Sequence, residues 1–262
     1  MSPARSVFAD HTWTAARPLA DLYRQLARHC EAWCAHFTAS PAGWIPVADL
    51  TSRPEALAAV IDGESARILA EHGLRPRRDV AASRVLHHYL WTACLLFSGP
   101  WYLDRRVPRI TPDQVRIDPA SGNLAVTPGR CTAAGQAARP AELRDAVVEH
   151  MAPVLRAFGP EARRGPRALW GMAGDDLVSG IWYLGRTFGD EGRGVREATA
   201  VLPGGTPPFP GGAAFRELPG PAGRRQPTRT RQGCCMYYAI RPDDACLTCP
   251  RTSDAERLRR MA

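Results

Sequence analysis

Four cysteines within sixteen residues constrain this chain more than any other feature. They lie in Gly233-Cys234-Cys235, followed ten residues later by Cys246-Leu247-Thr248-Cys249-Pro250, a C-C-x10-C-x2-C pattern. A C-x2-C turn sets two sulfurs on one side, where both reach one metal centre. The adjacent pair is different, because neighbouring side chains normally diverge. Divergent thiolates suit a binuclear cluster, which presents two irons, better than a single tetrahedral ion. Structural zinc stays open, since four thiolates satisfy it and tetrahedral sulfur sites host either metal. Zinc ribbons, however, usually build both halves from spaced pairs. Packing cysteines do not concentrate in so polar and Arg-rich a segment.

The rest of the composition is that of a folded protein, with 262 residues, 45% hydrophobic and 23% charged. The longest apolar run, Tyr89 to Phe97, is too short to cross a bilayer. The first residues lack the apolar core of a secretory signal, so the expected location is the cytoplasm, where thiols stay reduced and disulfides are rare. All 34 basic residues are Arg, which gives a net charge of +8. They are scattered in pairs such as Arg77-Arg78, Arg105-Arg106 and Arg163-Arg164, with no long basic run interleaved with aromatics, so no nucleic-acid partner is expected. The absence of lysine excludes Schiff-base and P-loop chemistry.

Hydrophobic spacing predicts a mainly helical α+β protein. Leu19, Leu22, Leu26, Cys30, Trp33 and Phe37 form a stripe on a helix expected over Pro18 to Thr38. A second helix is expected from near Ser52 to Gly73, and a third from Asp79 to just before Gly99-Pro100. Gln114 to Ile117 and Asn123 to Thr127 flank a five-residue loop and predict a β-hairpin, the small antiparallel element of the fold. Pro140 to Phe158, Arg167 to Phe188 and Val195 to Leu202 are helical by the same criterion. Three segments result: a helix-dominated body over 1–202, a Pro/Gly/Arg-rich connecting loop over 203–233 with little to bury, and a cluster-binding segment over 234–262.

The C-C-x10-C-x2-C ending resembles the FhuF family of ferric siderophore reductases. Ala82-Ser83 through Trp101 is similar to that family's long central helix. Arg167-Ala-Leu-Trp170-Gly171 is similar to its Leu-Trp-Gly helix start, except that Met172 stands where Asn is expected. The resemblance implies a [2Fe–2S] cluster held by Cys234, Cys235, Cys246 and Cys249. It implies a cytoplasmic reductase that passes one electron to siderophore-bound ferric iron, with a hydroxamate-type siderophore as substrate. It leaves the catalytic role to the cluster alone. No cofactor fold is visible, so the electron is expected from a separate ferredoxin or flavoprotein reductase. Two other classes compete: a zinc or iron–sulfur interaction protein, and an iron–sulfur sensor.

Other candidates carry less. Cys30 and Cys94 fall on apolar stripes and read as small core residues. Cys30, Cys34, His29 and His36 spread around the first helix instead of converging, and Cys131 has no partner. His87-His88 and Asp175-Asp176 are adjacent on helices, so their side chains point about 100° apart and share no ligand or acid–base task. Gly192-Arg-Gly194-Val-Arg-Glu197 begins like a dinucleotide fingerprint but has Glu in place of the third glycine and no βαβ context.

Overall fold

The computed structural model describes residues 17–37, 41–127, 137–220 and 225–261. Eight helices and six short strands follow one another within these residues. They are α1 (Arg17–His29), β1 (Ala35–Phe37), β2 (Ile45–Pro46), α2 (Val47–Ser52), α3 (Pro54–His72), α4 (Arg78–Asp104), β3 (Val115–Ile117) and β4 (Leu124–Val126). Then come α5 (Pro140–Ala162), α6 (Pro166–Thr187), α7 (Glu191–Val201), β5 (Phe215–Pro219), β6 (Arg225–Arg229) and α8 (Asp254–Met261). The fold is α+β and mainly helical, with small sheets.

Helix α4 is the axis of the body. Twenty of its 27 residues are buried, and α1, α3, α5 and α6 pack around it. A helix that is apolar around most of its circumference is placed at the centre, and its polar side chains Arg84, His87 and His88 are only partly buried. It does not stop before Gly99-Pro100, as local propensity predicts, but runs on to Asp104. Pro100 lacks the N–H that would bond the Leu96 carbonyl four residues back. The Tyr23 hydroxyl donates to that carbonyl instead, at 2.9 Å, so α1 supplies the missing partner.

Helix α1 is shorter than its stripe. It ends at His29, and Ala35–Phe37 instead forms β1, parallel to β4. Trp33 and Phe37 still pack near Tyr23, with Phe37 stacked on it at 4.3 Å, but they reach it from the strand side. The sheet runs β1-β4-β3-β2 and is antiparallel except at β1–β4. It turns Val115, Ile117, Leu124 and Val126 into the main core.

Residues 203–233 depart furthest from the expected loop. They contain β5 and β6, an antiparallel pair, and they bury Phe209, Ala213, Thr228, Arg229 and Arg231. Phe209 meets Trp170 edge-on at 5.4 Å, and Phe215 meets Trp182 at 5.3 Å, which fastens the hairpin to α6. The fingerprint-like Gly194 has a packing role. A Cβ on Gly185 of α6 would stand 2.7 Å from the Gly194 Cα of α7, so both positions require glycine where the helices touch.

Candidate metal centre

The cysteine segment is fixed to the body by two arginines. Arg229 and Arg231 are two residues apart in extended chain and face the same side. The adjacent Asp175 and Asp176 of α6 receive one each. Arg229 Nη2 donates to Asp175 Oδ1 at 2.5 Å, and Arg231 Nη2 to Asp176 Oδ1 at 2.5 Å. Arg229 is further tied to the Ala213 carbonyl at 3.0 Å and to the Ser179 hydroxyl at 3.2 Å. His87 of α4 shares Asp176, with Nδ1 at 2.8 Å from Oδ2. The Gly233 amide donates to Asp175 Oδ2 at 2.6 Å, which pins the residue before Cys234.

These charges are compensated where they lie. Burial alone would lower the Arg231 pKa, but Asp176 and Asp175 hold it above its ordinary value. Asp176 stays below the usual carboxylate range despite burial, because Arg231 and His87 face it. Burial dominates at Asp175 and raises it even beside Arg229 and Arg231.

All four predicted ligand cysteines are brought together. Cys234, Cys235, Cys246 and Cys249 line one narrow cavity, together with Arg231, Gly233, Tyr237 and Tyr238. Cys235 and Cys246 are in thiol–thiol contact. That hydrogen bond lowers the Cys235 pKa and raises that of Cys246. Burial raises the Cys234 thiol. Each half of the motif offers a backbone donor to sulfur: the Met236 amide to Cys234 Sγ at 3.4 Å, and the Arg251 amide to Cys249 Sγ at 3.5 Å.

The C-x2-C half is held from behind by α8. Arg257 donates from Nε to the Leu247 carbonyl at 2.6 Å and from Nη2 to the Cys249 carbonyl at 2.9 Å. Between the halves, Ile240 with Met236 and Tyr237 packs on Ile68 and Val80 in a small second core.

This donor set fits a [2Fe–2S] cluster. Four thiols line one cavity, the all-cysteine donor set that a [2Fe–2S] cluster takes. A binuclear centre spreads its ligands over two irons, whereas zinc gathers four around one point. Arg231 Nε is a buried N–H with no acceptor, on a side chain that lines the same cavity. An anionic sulfur centre there provides the acceptor such a donor lacks.

The remaining cysteines lie elsewhere. Cys30 is buried just beyond α1, Cys34 is exposed, and Cys94 is buried within α4, 3.9 Å from the Ala173 carbonyl. Cys131 lies outside the described residues. His29 and His36 form no group with Cys30 and Cys34, since the helix expected to carry them ends at His29. The frame of Asp175, Asp176 and Arg229, all buried, with the partly buried His87, is not evident from local sequence. Its one signal is two adjacent acids in an otherwise apolar helix, matched by Arg229 and Arg231 at strand spacing.

There is a second, wider cavity of about 870 Å³. Its walls come from α4, α6, β6 and the Leu247-Thr248 pair between Cys246 and Cys249. Arg231 lines both cavities.

No curated protein matches the chain at a significant level. A family model does: residues 231–251 match the FhuF 2Fe-2S C-terminal domain. The matched stretch runs from Arg231 through all four cavity cysteines. Through it the chain carries an FhuF-type domain that binds a [2Fe–2S] cluster.

Proposed function

We propose that the protein is a cytoplasmic ferric siderophore reductase, in which Cys234, Cys235, Cys246 and Cys249 hold the cluster. The FhuF domain match supports the iron–sulfur chemistry. The observation that carries the substrate side is a shared lining residue: Arg231 lines both the wide cavity and the thiol cavity, and Leu247 and Thr248, which lie between Cys246 and Cys249 in the chain, line the wide one. A ligand in the wide cavity would therefore meet Arg231, which also lines the thiol cavity.

When bound, a [2Fe–2S] cluster supplies a centre that takes up and gives up one electron. The chain's own residues do the rest. Asp175, Asp176, Arg229 and His87 fix the strand that presents Cys234 and Cys235. Arg257 fixes the turn that presents Cys246 and Cys249. Tyr237, Tyr238 and Pro250 line the thiol cavity beside the cysteines. Hard oxygen donors grip ferric iron far better than ferrous iron, so one electron releases the metal without consuming the chelator. No nicotinamide-binding motif is present in the sequence, and the electron donor in this reading is a separate ferredoxin or flavoprotein. Among the described residues no helix is long and apolar enough to cross a membrane.

The test is anaerobic. The protein is purified, its iron, sulfide and zinc are measured, and it is reduced with dithionite and desalted. Mixing with a ferric siderophore and a ferrous-specific chelator should restore the oxidised visible spectrum and yield one ferrous ion per cluster. A reduced protein that stays reduced in the presence of several ferric chelates defeats the reading.

A further inference from the structure

We propose that the 870 Å³ cavity between α4, α6 and β6 selects ferric chelates of net negative charge over neutral or cationic trihydroxamate complexes. The proposal rests on the reductase reading and names the class of substrate within it.

The volume suits a compact chelate of one ferric ion with three bidentate arms. The selectivity follows from charge. Four arginines line the cavity, Arg84, Arg186, Arg225 and Arg231, against a single lining carboxylate, Glu191. Two of them are already paired: Arg225 with Glu217 at 2.5 Å, and Arg231 with Asp176 at 2.5 Å. Arg84 and Arg186 have no carboxylate partner among the described residues. Arg84 Nη2 lies 2.7 Å from His88 Nε2, and its guanidinium stands 4.9 Å from the Tyr237 ring centroid. Arg186 lies over the Trp182 ring at 5.2 Å. The Glu191 carboxylate is occupied by the Trp182 indole N–H at 2.8 Å. Glu191 keeps its negative charge, so beyond the two ion pairs the wall has an excess of one positive charge, presented by two guanidinium groups outside any ion pair, whose planar donors match oxyanions.

Ferric iron is neutralised by three hydroxamates, so such a complex brings no net charge for these groups to recognise. Three catecholates leave a triple negative charge, and a citrate-based chelate also remains negative. The arginine excess thus points away from the hydroxamate implied by resemblance. Trp91, Trp182 and Tyr183 add ring surfaces along the same cavity, against which chelate arms can pack.

The test separates binding from reduction by using gallium(III), which matches ferric iron in charge and size and is not reduced. Cluster-loaded protein is titrated anaerobically, by calorimetry, with three gallium complexes: a tris-catecholate, a citrate–dihydroxamate and a neutral trihydroxamate. At least one anionic complex should bind ten-fold or more tightly than the neutral one at low salt, with the advantage shrinking as salt rises. Arg84→Gln and Arg186→Gln should each weaken the anionic complex several-fold and leave the neutral one unchanged. Arg186 is exposed, so its variant carries the test even if Arg84→Gln disturbs the fold. The two anionic probes distinguish an aromatic from an aliphatic ligand, and preference for either supports the proposal. Equal affinity for the neutral complex, or indifference to both substitutions, overturns it. Tight anionic binding without reoxidation by the ferric forms would defeat the reductase reading and leave the site standing. Equal reoxidation by neutral and anionic complexes would do the reverse.

Discussion

Arg231 and Asp176 meet at 2.5 Å, with side chains only 7% and 0% exposed, at the point where the chain enters the cysteine segment. Removing one partner of such a pair leaves a buried charge without compensation, which costs about 3–5 kcal/mol. Asp176→Asn should therefore lower the melting temperature and shed the cluster on mild heating. The measurement is a thermal melt followed by far-UV circular dichroism and visible absorbance. The double variant Asp176→Asn with Arg231→Gln should lose less than the two single losses combined, since it removes both charges. Melting of Asp176→Asn alongside the parent would show that the pair does not hold the segment.

Cysteine replacement tests the ligand set directly. Cys234→Ser, Cys235→Ser, Cys246→Ser and Cys249→Ser should each abolish or reshape the visible spectrum, because a hydroxyl fills a thiolate's place poorly. Cys30→Ser, Cys34→Ser, Cys94→Ser and Cys131→Ser should leave it intact. Survival of the parent spectrum in Cys235→Ser, or its loss in Cys34→Ser, would require a different assignment.

Gly233, just before the cysteine segment, lies close against Met172 of α6. A Cβ there would stand 2.6 Å from Met172 Cγ and 2.7 Å from the Met172 backbone nitrogen. Gly233→Ala should push the strand off α6, lengthen the 2.6 Å amide bond to Asp175 and cost about 1–3 kcal/mol. Adding Met172→Ala removes the side-chain clash but not the backbone one, so it should not restore cluster retention. Full rescue would mean that the clash is only with the thioether.

His150 gives the helical body a pH dependence. Its Nδ1–H donates to the Ile110 carbonyl at 2.9 Å, and Nε2 accepts from the Tyr89 hydroxyl at 2.5 Å, so the ring is held neutral. Burial lowers its pKa to about 4. An unfolded histidine takes up a proton near pH 6.5, whereas the folded one does not until about pH 4. Stability should thus fall as pH drops through this window, by about 1.4 kcal/mol per unit from this residue. Urea unfolding at pH 7.5 and 5.5 should show a steeper loss in the parent than in His150→Gln. Equal slopes would place the proton uptake elsewhere.

How much was legible in the sequence depended on how local the cause was. The C-C-x10-C-x2-C spacing and the turn between Ile117 and Asn123 are short-range signals, and the corresponding thiols and strands do come together. The end of α1 was not legible, because Ala35–Phe37 becomes a strand only when β4 lies beside it. Neither was the passage of α4 through Pro100, since the compensating donor, Tyr23, is 73 residues from the carbonyl it serves. Residues 203–233 look like a linker by composition. Their buried arginines, Arg229 and Arg231, are held by Asp175 and Asp176, whose role requires the tertiary fold.

The double anchoring of the cysteine segment, to α6 through Arg229, Arg231 and Gly233 and to α8 through Arg257, bears on speed as well as shape. When charge arrives at a site in water, solvent dipoles must turn before the charge can settle, and that turning is a barrier. Here Arg231 is held through Nη2 by Asp176, and the Met236 and Arg251 amides already face Cys234 Sγ and Cys249 Sγ. Surroundings that are set in advance have less left to rearrange, so under the proposed function this anchoring would lower the activation energy for a charge to come or go.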